Sequence, residues 1–385
     1  MMRFVLFIIV LAQFLCTSLW FAGNAVMDGL VLDFGLSAND LGHIISAVQF
    51  GFIIGTLVYA IGMIADRYSP SKVFFISALL GAICNISIIW NGHVFSSILL
   101  VRFLTGFFLA GIYPVGMKIA ADYYDKGLGK SLGYLVGALV LGTALPHLLQ
   151  AFSVDLSWRF VFITTSILSA LGGLLIYICI PDGPYRKPGT GVQIQKLFSA
   201  FKDRSFRSAA FGYFGHMWEL YAFWTFVPVI LLNCFPNTSS SNIAIYSFII
   251  IAAGSAVCVL GGYYALRRGS RRTALIALSA SGLCCLVSPL ILSITSPAII
   301  LAFLIIWGMM VIADSPQFST LVAQSAPAEI KGTALTIVNC IGFAITIISI
   351  QLLNIFYTEH NNLNVLLILA IGPILGLYAL KKLIH

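Results

Sequence analysis

The sequence predicts an all-α membrane protein, with twelve transmembrane helices in two pseudo-symmetric six-helix bundles. Three observations carry this reading. Twelve runs of roughly twenty mostly apolar residues recur along the 385-residue chain, each long enough to cross a hydrocarbon core. With Arg3 taken as cytoplasmic, every Lys and Arg except Arg102 and Arg159 falls on the same side, which is the charge bias that orients membrane proteins. Finally, Gly62 and Gly262 head two versions of one loop, so the chain repeats itself at half length.

In the first half the apolar runs lie near 4–26, 40–64, 72–91, 96–118, 130–152 and 158–180. Met1–Cys16 has the basic start and apolar run of a signal or lipoprotein segment. The run continues to Val26 without a small-residue cleavage context, which favours an uncleaved first span. Connections on the basic side hold Arg67, Lys72, Lys126, Lys130, Arg186 and Lys187, and those on the other side hold Asp28, Asp33, Asp40 and Asp155. Pro181–Arg207 is rich in Pro, Gly and basic residues and reads as a linker. Its Gln193–Phe201 stretch is patterned as a short amphipathic helix on the cytoplasmic face. The second half resumes with runs near 208–233, 243–266, 273–293, 298–322, 331–353 and 364–381. The expected organisation is a first bundle over 1–180, a cytoplasmic linker over 181–207 and a second bundle over 208–385, with both termini cytoplasmic.

Composition excludes several function classes. With 60% hydrophobic and 9% charged residues, the chain has too little polar surface to dissolve in water. Its net charge of +8 does not indicate nucleic acid, because the basic residues sit in short loops beside the spans. Seven of the eight cysteines fall within or at the ends of spans without CxxC or His-Cys spacing, so they read as small packing residues and not as metal ligands or a disulfide framework. There is no Walker loop, no nucleophile elbow and no connection long enough for a catalytic domain. The expectation is a non-enzyme that needs no cofactor or metal.

Polar residues inside a bilayer cost roughly 2.5–3.5 kcal/mol each when ionisable, and they face a cavity or a partner. Here they form helical stripes. Span one carries Gln13, Thr17, Trp20 and Asn24. Span four carries Arg102, Gly106, Leu109, Tyr113 and Met117. Span seven carries Gly212, His216, Glu219 and Phe223, and span ten carries Trp307, Met310, Asp314 and Gln317. Arg102 is the fixed cation of these stripes. It either grips an acidic substrate through two parallel hydrogen bonds or pairs with Asp314 or Glu219. His216 and Glu219 lie three apart and so can touch, either as a proton relay or as a neutral hydrogen-bonded pair. Trp218 and Tyr221 add flat faces suited to an organic solute. Pro316 after Asp314 predicts a bend, either a gate or a packing kink. His147, near the outer end of span five, and Asn339 on span eleven are weaker binding candidates. Gly51/Gly55 and Gly133/Gly137 are expected to let helices approach closely.

The first loop, Gly62-Met-Ile-Ala-Asp66-Arg67 followed by a basic cluster ending at Lys72, resembles the signature of the major facilitator superfamily. Its second copy runs from Gly262 to Arg267, Arg271 and Arg272. Arg102-Phe-Leu-Thr-Gly106 continuing to Gly111 and Pro114, and Trp158-Arg159-Phe-Val-Phe162, resemble two further features of that family. Ser69 replaces the usual loop glycine, and Leu266 stands at the acidic position of the second copy. Glycines 133, 137 and 142 with Pro146 match the drug-antiporter motif only in part.

The resemblance implies the major facilitator fold, a monomer in a bacterial inner membrane, and a central cavity lined by spans one, four, seven and ten. It also implies a gating loop of Gly62, Asp66 and Arg67, with Asp66 latched, in the outward-facing state, onto the first amides of span eleven around Lys331–Ala334. The function expected is a secondary active transporter that moves a small organic solute bearing an acidic group by proton-coupled alternating access. Substrate contacts are expected from Trp20, Asn24, Arg102, Tyr113, His147, Trp218, Tyr221, Gln317 and Asn339, and proton coupling from His216, Glu219 and Asp314. The alternatives are an exporter of amphipathic or aromatic compounds, or a non-transporting membrane receptor. Apart from the solute and the proton, the lipid bilayer is the only partner expected.

Overall fold

Proline and hydroxyl chemistry break three of the predicted spans where polar residues lie mid-membrane. The computed structural model describes residues 2–37, 40–124, 128–152, 157–186, 198–360 and 362–382. Lys126, Asp155, Lys187 and most of the predicted amphipathic segment Gln193–Phe201 lie outside the described residues. Among the described residues, eleven helices are long and apolar enough to cross a membrane. The first span is the twelfth, but it is divided into Met2–Thr17, Ala22–Ala25 and Met27–Phe34. Thr17 and Ser18 turn their hydroxyls back onto the carbonyls of Gln13 and Leu15, at 2.8 and 2.6 Å, and such back-bonding bends a helix.

Span four is divided into Phe95–Leu109 and Tyr113–Tyr123, and span ten into Pro297–Ala313 and Ser315–Ser325. Each second segment has proline in its first turn, where the missing N–H is not needed. The bend predicted from Pro316 therefore exists, and Pro114 makes its counterpart in the other half. Pro146, Pro228 and Pro289 lie within continuous helices.

The surface is apolar and the interior carries the polar groups. Leu290 and Leu260 are 71% and 63% exposed, whereas Arg102 and Asp314 are 0% exposed. This inversion fits a molecule solvated by lipid. Across the two halves, span two packs on span eleven and span five on span eight. On the acidic-loop side Gln351 Nε2 donates to Ser46 Oγ at 2.8 Å, Ser241 Oγ to the Ala151 carbonyl at 2.8 Å, and Asn24 Nδ2 to the Thr225 carbonyl at 3.1 Å. The halves are thus drawn together on that side.

Spans two and four approach until backbones touch. A Cβ on Gly106 would collide with the Val48 carbonyl, and one on Gly51 with the Phe103 carbonyl. Such contact is available only to small residues and supports close Cα–H···O packing. Gly106→Ala is expected to destabilise the protein by about 1–3 kcal/mol, the usual overpacking cost. The thermal midpoint in detergent measures it, and an unchanged midpoint would refute the close approach.

Candidate functional site

The break in span one determines what Arg102 does. Residues 18–21 leave the helix, so the carbonyls of Leu19 and Trp20 lose their intrahelical donors. Arg102 Nη2 donates to both, at 3.0 and 2.7 Å, and Nη1 donates to Asn85 Oδ1 at 2.9 Å. Asn85 Nδ2 in turn reaches the Phe162 carbonyl, Thr165 Oγ1 and Ser166 Oγ on span six. A guanidinium suits this work because it offers five planar donors and complements a helix C-terminus. The expected pairing of Arg102 with Asp314 or Glu219 is not what forms. The arginine ties spans one, three, four and six of its own half, through Asn85 in the last turn of Pro70–Ser87.

In the second half, His216 and Glu219 take different partners from span ten. Glu219 accepts from Trp307 Nε1 at 2.7 Å, Ser281 Oγ at 2.9 Å and Cys285 Sγ at 3.3 Å. Trp307 is stacked on Phe223 at 4.4 Å and 0% exposed, so the carboxylate is walled into its own bundle. His216 Nδ1 lies 2.8 Å from Asp314 Oδ1, with both side chains 1% exposed. The oxygen lies off the ring's N–H direction, and neither Asp314 oxygen receives an aligned hydrogen bond. The predicted His216–Glu219 contact is therefore replaced by His216–Asp314. Spans seven and ten run antiparallel, so successive turns of one meet successive turns of the other. Gln317 is buried one turn beyond the break, and its backbone N–H donates to the Asp314 carbonyl at 3.0 Å.

Between the halves stands an aromatic cluster. Trp20 lies nearly parallel to Tyr221 and to Phe343, with centroids 5.7 Å from each, and Phe52 flanks it at 4.9 Å. Tyr221 also meets Phe343 at 5.2 Å and Trp224 at 5.4 Å. All five rings are buried. Trp20 Nε1, Trp224 Nε1 and Asn24 Oδ1 are buried without hydrogen-bond partners, as are both amide atoms of Gln13 and of Gln49. Buried polar atoms without partners cost about 1–3 kcal/mol each. Phe52 and Phe343 were not singled out by sequence, since a phenylalanine inside a span carries no distinguishing signal.

The remaining candidates scatter. Tyr113 begins the second segment of span four and is buried. Asn339 accepts the Tyr213 hydroxyl at 2.5 Å. Trp218 points elsewhere: its Nε1 donates to the Ile368 carbonyl at 2.9 Å, because the close crossing of Gly215 and Gly372 draws that face onto span twelve. His147 is 2% exposed, so its location near the span end does not bring it to water, and its Nε2 has no partner. In the first loop the Asp66 carboxylate is taken by Lys118 Nζ at 2.9 Å, not by the expected start of span eleven. Arg186 of the linker caps the Asp66 and Tyr68 carbonyls at 2.9 and 2.8 Å and pairs with Asp182. The left-handed residue of this turn is Met63, φ 51°, and not Gly62, while Arg67 is exposed. On the opposite side Arg159 pairs with Asp33 at 3.0 Å and Trp158 Nε1 donates to the same carboxylate at 2.8 Å, so this motif clamps the end of span one.

A family model described as Major Facilitator Superfamily matches residues 9–350. The chain is 23% identical over 253 residues to a probable L-galactonate transporter of Escherichia coli K12, covering 60% of this chain and 54% of that protein. It is also 23% identical over 342 residues to a cis,cis-muconate transport protein of Acinetobacter baylyi, covering 80% and 76%. The chain spans about half the length of several of the relatives it matches. The solved nucleoside transporter NupG superposes with a TM-score of 0.75 at 15% identity, covering 99% of this chain and 100% of that one, a likeness of fold.

Proposed function

Because the chain belongs to the major facilitator superfamily, we propose that it is a secondary active transporter moving a small organic acid, coupled to protons at the His216–Asp314 pair. The observation that carries the coupling is a carboxylate and an imidazole 2.8 Å apart, fully buried, at the break of span ten. A proton taken up or lost there changes the charge of a site enclosed by apolar side chains, and such a change is large in energy away from water. The break supplies a bend that can follow that charge. Relatives named for galactonate and muconate transport support the acid class.

In this reading residues 1–180 and 208–385 rock about the centre, with 181–207 as the tether. The basic loops and both termini face the cytoplasm of a bacterial inner membrane, and the protein works as a monomer. The contacts on the acidic-loop side correspond to a state closed to the outside, with the Asp66 latch released to Lys118. Uptake of labelled galactonate and muconate into proteoliposomes under an inward proton gradient tests the proposal. Accumulation that a protonophore abolishes is the expected result, and the absence of both gradient-driven uptake and exchange for both acids would overturn it.

Glu219 braces the second bundle in this assignment. Glu219→Gln keeps an acceptor for Trp307 and gains a donor for Ser281, so gradient-driven accumulation is expected to stay within about threefold, with a stability loss of about 1 kcal/mol. Loss of accumulation with normal exchange would move the coupling to Glu219.

A further inference from the structure

Two rings roof the His216–Asp314 pair. Tyr213 stands one turn nearer the start of span seven than His216, and Phe318 one turn nearer the end of span ten than Asp314, so both lie toward the basic loops. The imidazole meets them at centroid distances of 5.9 and 6.1 Å. Each ring is seated where a neighbouring helix has a glycine. A Cβ on Gly342 of span eleven would lie 2.6 Å from the Tyr213 ring, and one on Gly212 of span seven 2.4 Å from the Phe318 ring. Other titratable groups approach from different sides. Cys258 of span eight donates to the Ile312 carbonyl, and Glu219 turns to Ser281 and Cys285 of span nine.

The two rings are held differently. Phe318 has no polar atom to tether it. Tyr213 Oη donates to Asn339 Oδ1 at 2.5 Å, so one hydrogen bond fixes it to span eleven. Exposure rises along this line: His216 is 1% exposed, Tyr213 6%, and Asn339 is half-buried. An ordinary core tyrosine ends on a buried acceptor, whereas this one ends on an amide that is not enclosed. The next residue, Cys340, has its Sγ 3.9 Å from the Ile53 carbonyl of the first half. The tether therefore sits on the stretch of span eleven that the other half touches.

We infer that Tyr213, tethered by Asn339, is the cytoplasmic cover of the His216–Asp314 pair and is released when the first half moves against span eleven. This rests on the coupling reading above and names the residue that decides when the pair meets the cytoplasm. Tyr213 is a positioning residue: it carries no proton and controls access to the imidazole. One neutral hydrogen bond adds little net stability, so it can be broken and remade in every cycle.

Diethyl pyrocarbonate acylates the imidazoles it can reach, which makes the cover measurable on the purified full-length protein. Peptide mass spectrometry reads the rate at His216 relative to His43, which is exposed. Tyr213→Phe keeps the ring and removes the tether, and Asn339→Leu removes the tether from its other end. Each is expected to speed the His216 reaction about fivefold, the factor that one neutral hydrogen bond gives. The double variant is expected to react no faster than either single one, because both remove the same bond, whereas a general loosening of the bundle would add. Thermal midpoints show which variants are folded, and Asn339→Leu stands as the test by itself if Tyr213→Phe does not fold. A His216 rate unchanged from the parent, or additive effects, would overturn the cover. Gradient-driven uptake by Asp314→Asn separates the two readings: accumulation that survives it, with the His216 rate raised in the tether variants, would keep the cover and remove the coupling.

Discussion

Asp314→Asn is expected to abolish accumulation driven by a proton gradient while leaving exchange across the membrane intact. The amide cannot bind and release a proton, so the variant should bring the substrate to equal concentrations on both sides, an accumulation ratio of about one, because an uncoupled carrier only equilibrates. The side chain keeps its size and its place at the start of Ser315–Ser325, so folding should change little. The pH dependence of uptake should flatten at the same time, since His216 loses the carboxylate it faces. His216→Gln should flatten the profile too, because Asp314 then loses its neighbour. Proteoliposome uptake with an imposed pH step measures both. An Asp314→Asn protein that still concentrates substrate would remove the pair from the mechanism.

The second large effect belongs to Arg102. Arg102→Leu leaves the carbonyls of Leu19 and Trp20 and Asn85 Oδ1 without donors in a region 0% exposed. At about 1–3 kcal/mol for each of the three orphaned groups, a loss of about 3–9 kcal/mol is expected, much of the stability of a typical domain. Arg102→Lys should lose less, because an ammonium reaches one or two of the three acceptors but cannot span them. Thermal unfolding in detergent orders the three proteins. If Arg102→Lys were as stable as the parent and yet failed to bind acid, the guanidinium would be a substrate ligand and not a brace.

How far these features were legible from the sequence depends on the physics behind each. The spans were readable because hydropathy measures the same transfer energy that holds them in lipid. The bend in span ten was readable because a missing N–H acts locally, and Pro114 offered the same signal in span four. Facing relations were harder. The period of span seven put His216 and Glu219 on one face, expected to line the central cavity, but it could not say that neighbouring turns would take different partners on span ten. Trp218 shows the same limit, because the crossing at Gly215 and Gly372 is a property of two helices together. Arg102 misled for a related reason. A cation mid-span implies a partner, but backbone carbonyls freed by a break in another helix leave no mark on the sequence around it.

The two proline breaks have a consequence for how the halves divide their labour. Pro114 and Pro316 each open the second segment of a divided span, yet the residue two places before the proline is Ile112 in one half and Asp314 in the other. The duplicated architecture therefore supplies two like joints, one of them inert to protons and the other fitted with a titratable group. Geometric symmetry with chemical asymmetry means that a proton can bias one joint without an equal and opposite response in its twin. In the proposed mechanism this unmatched carboxylate lets a proton act on one joint and not on its twin.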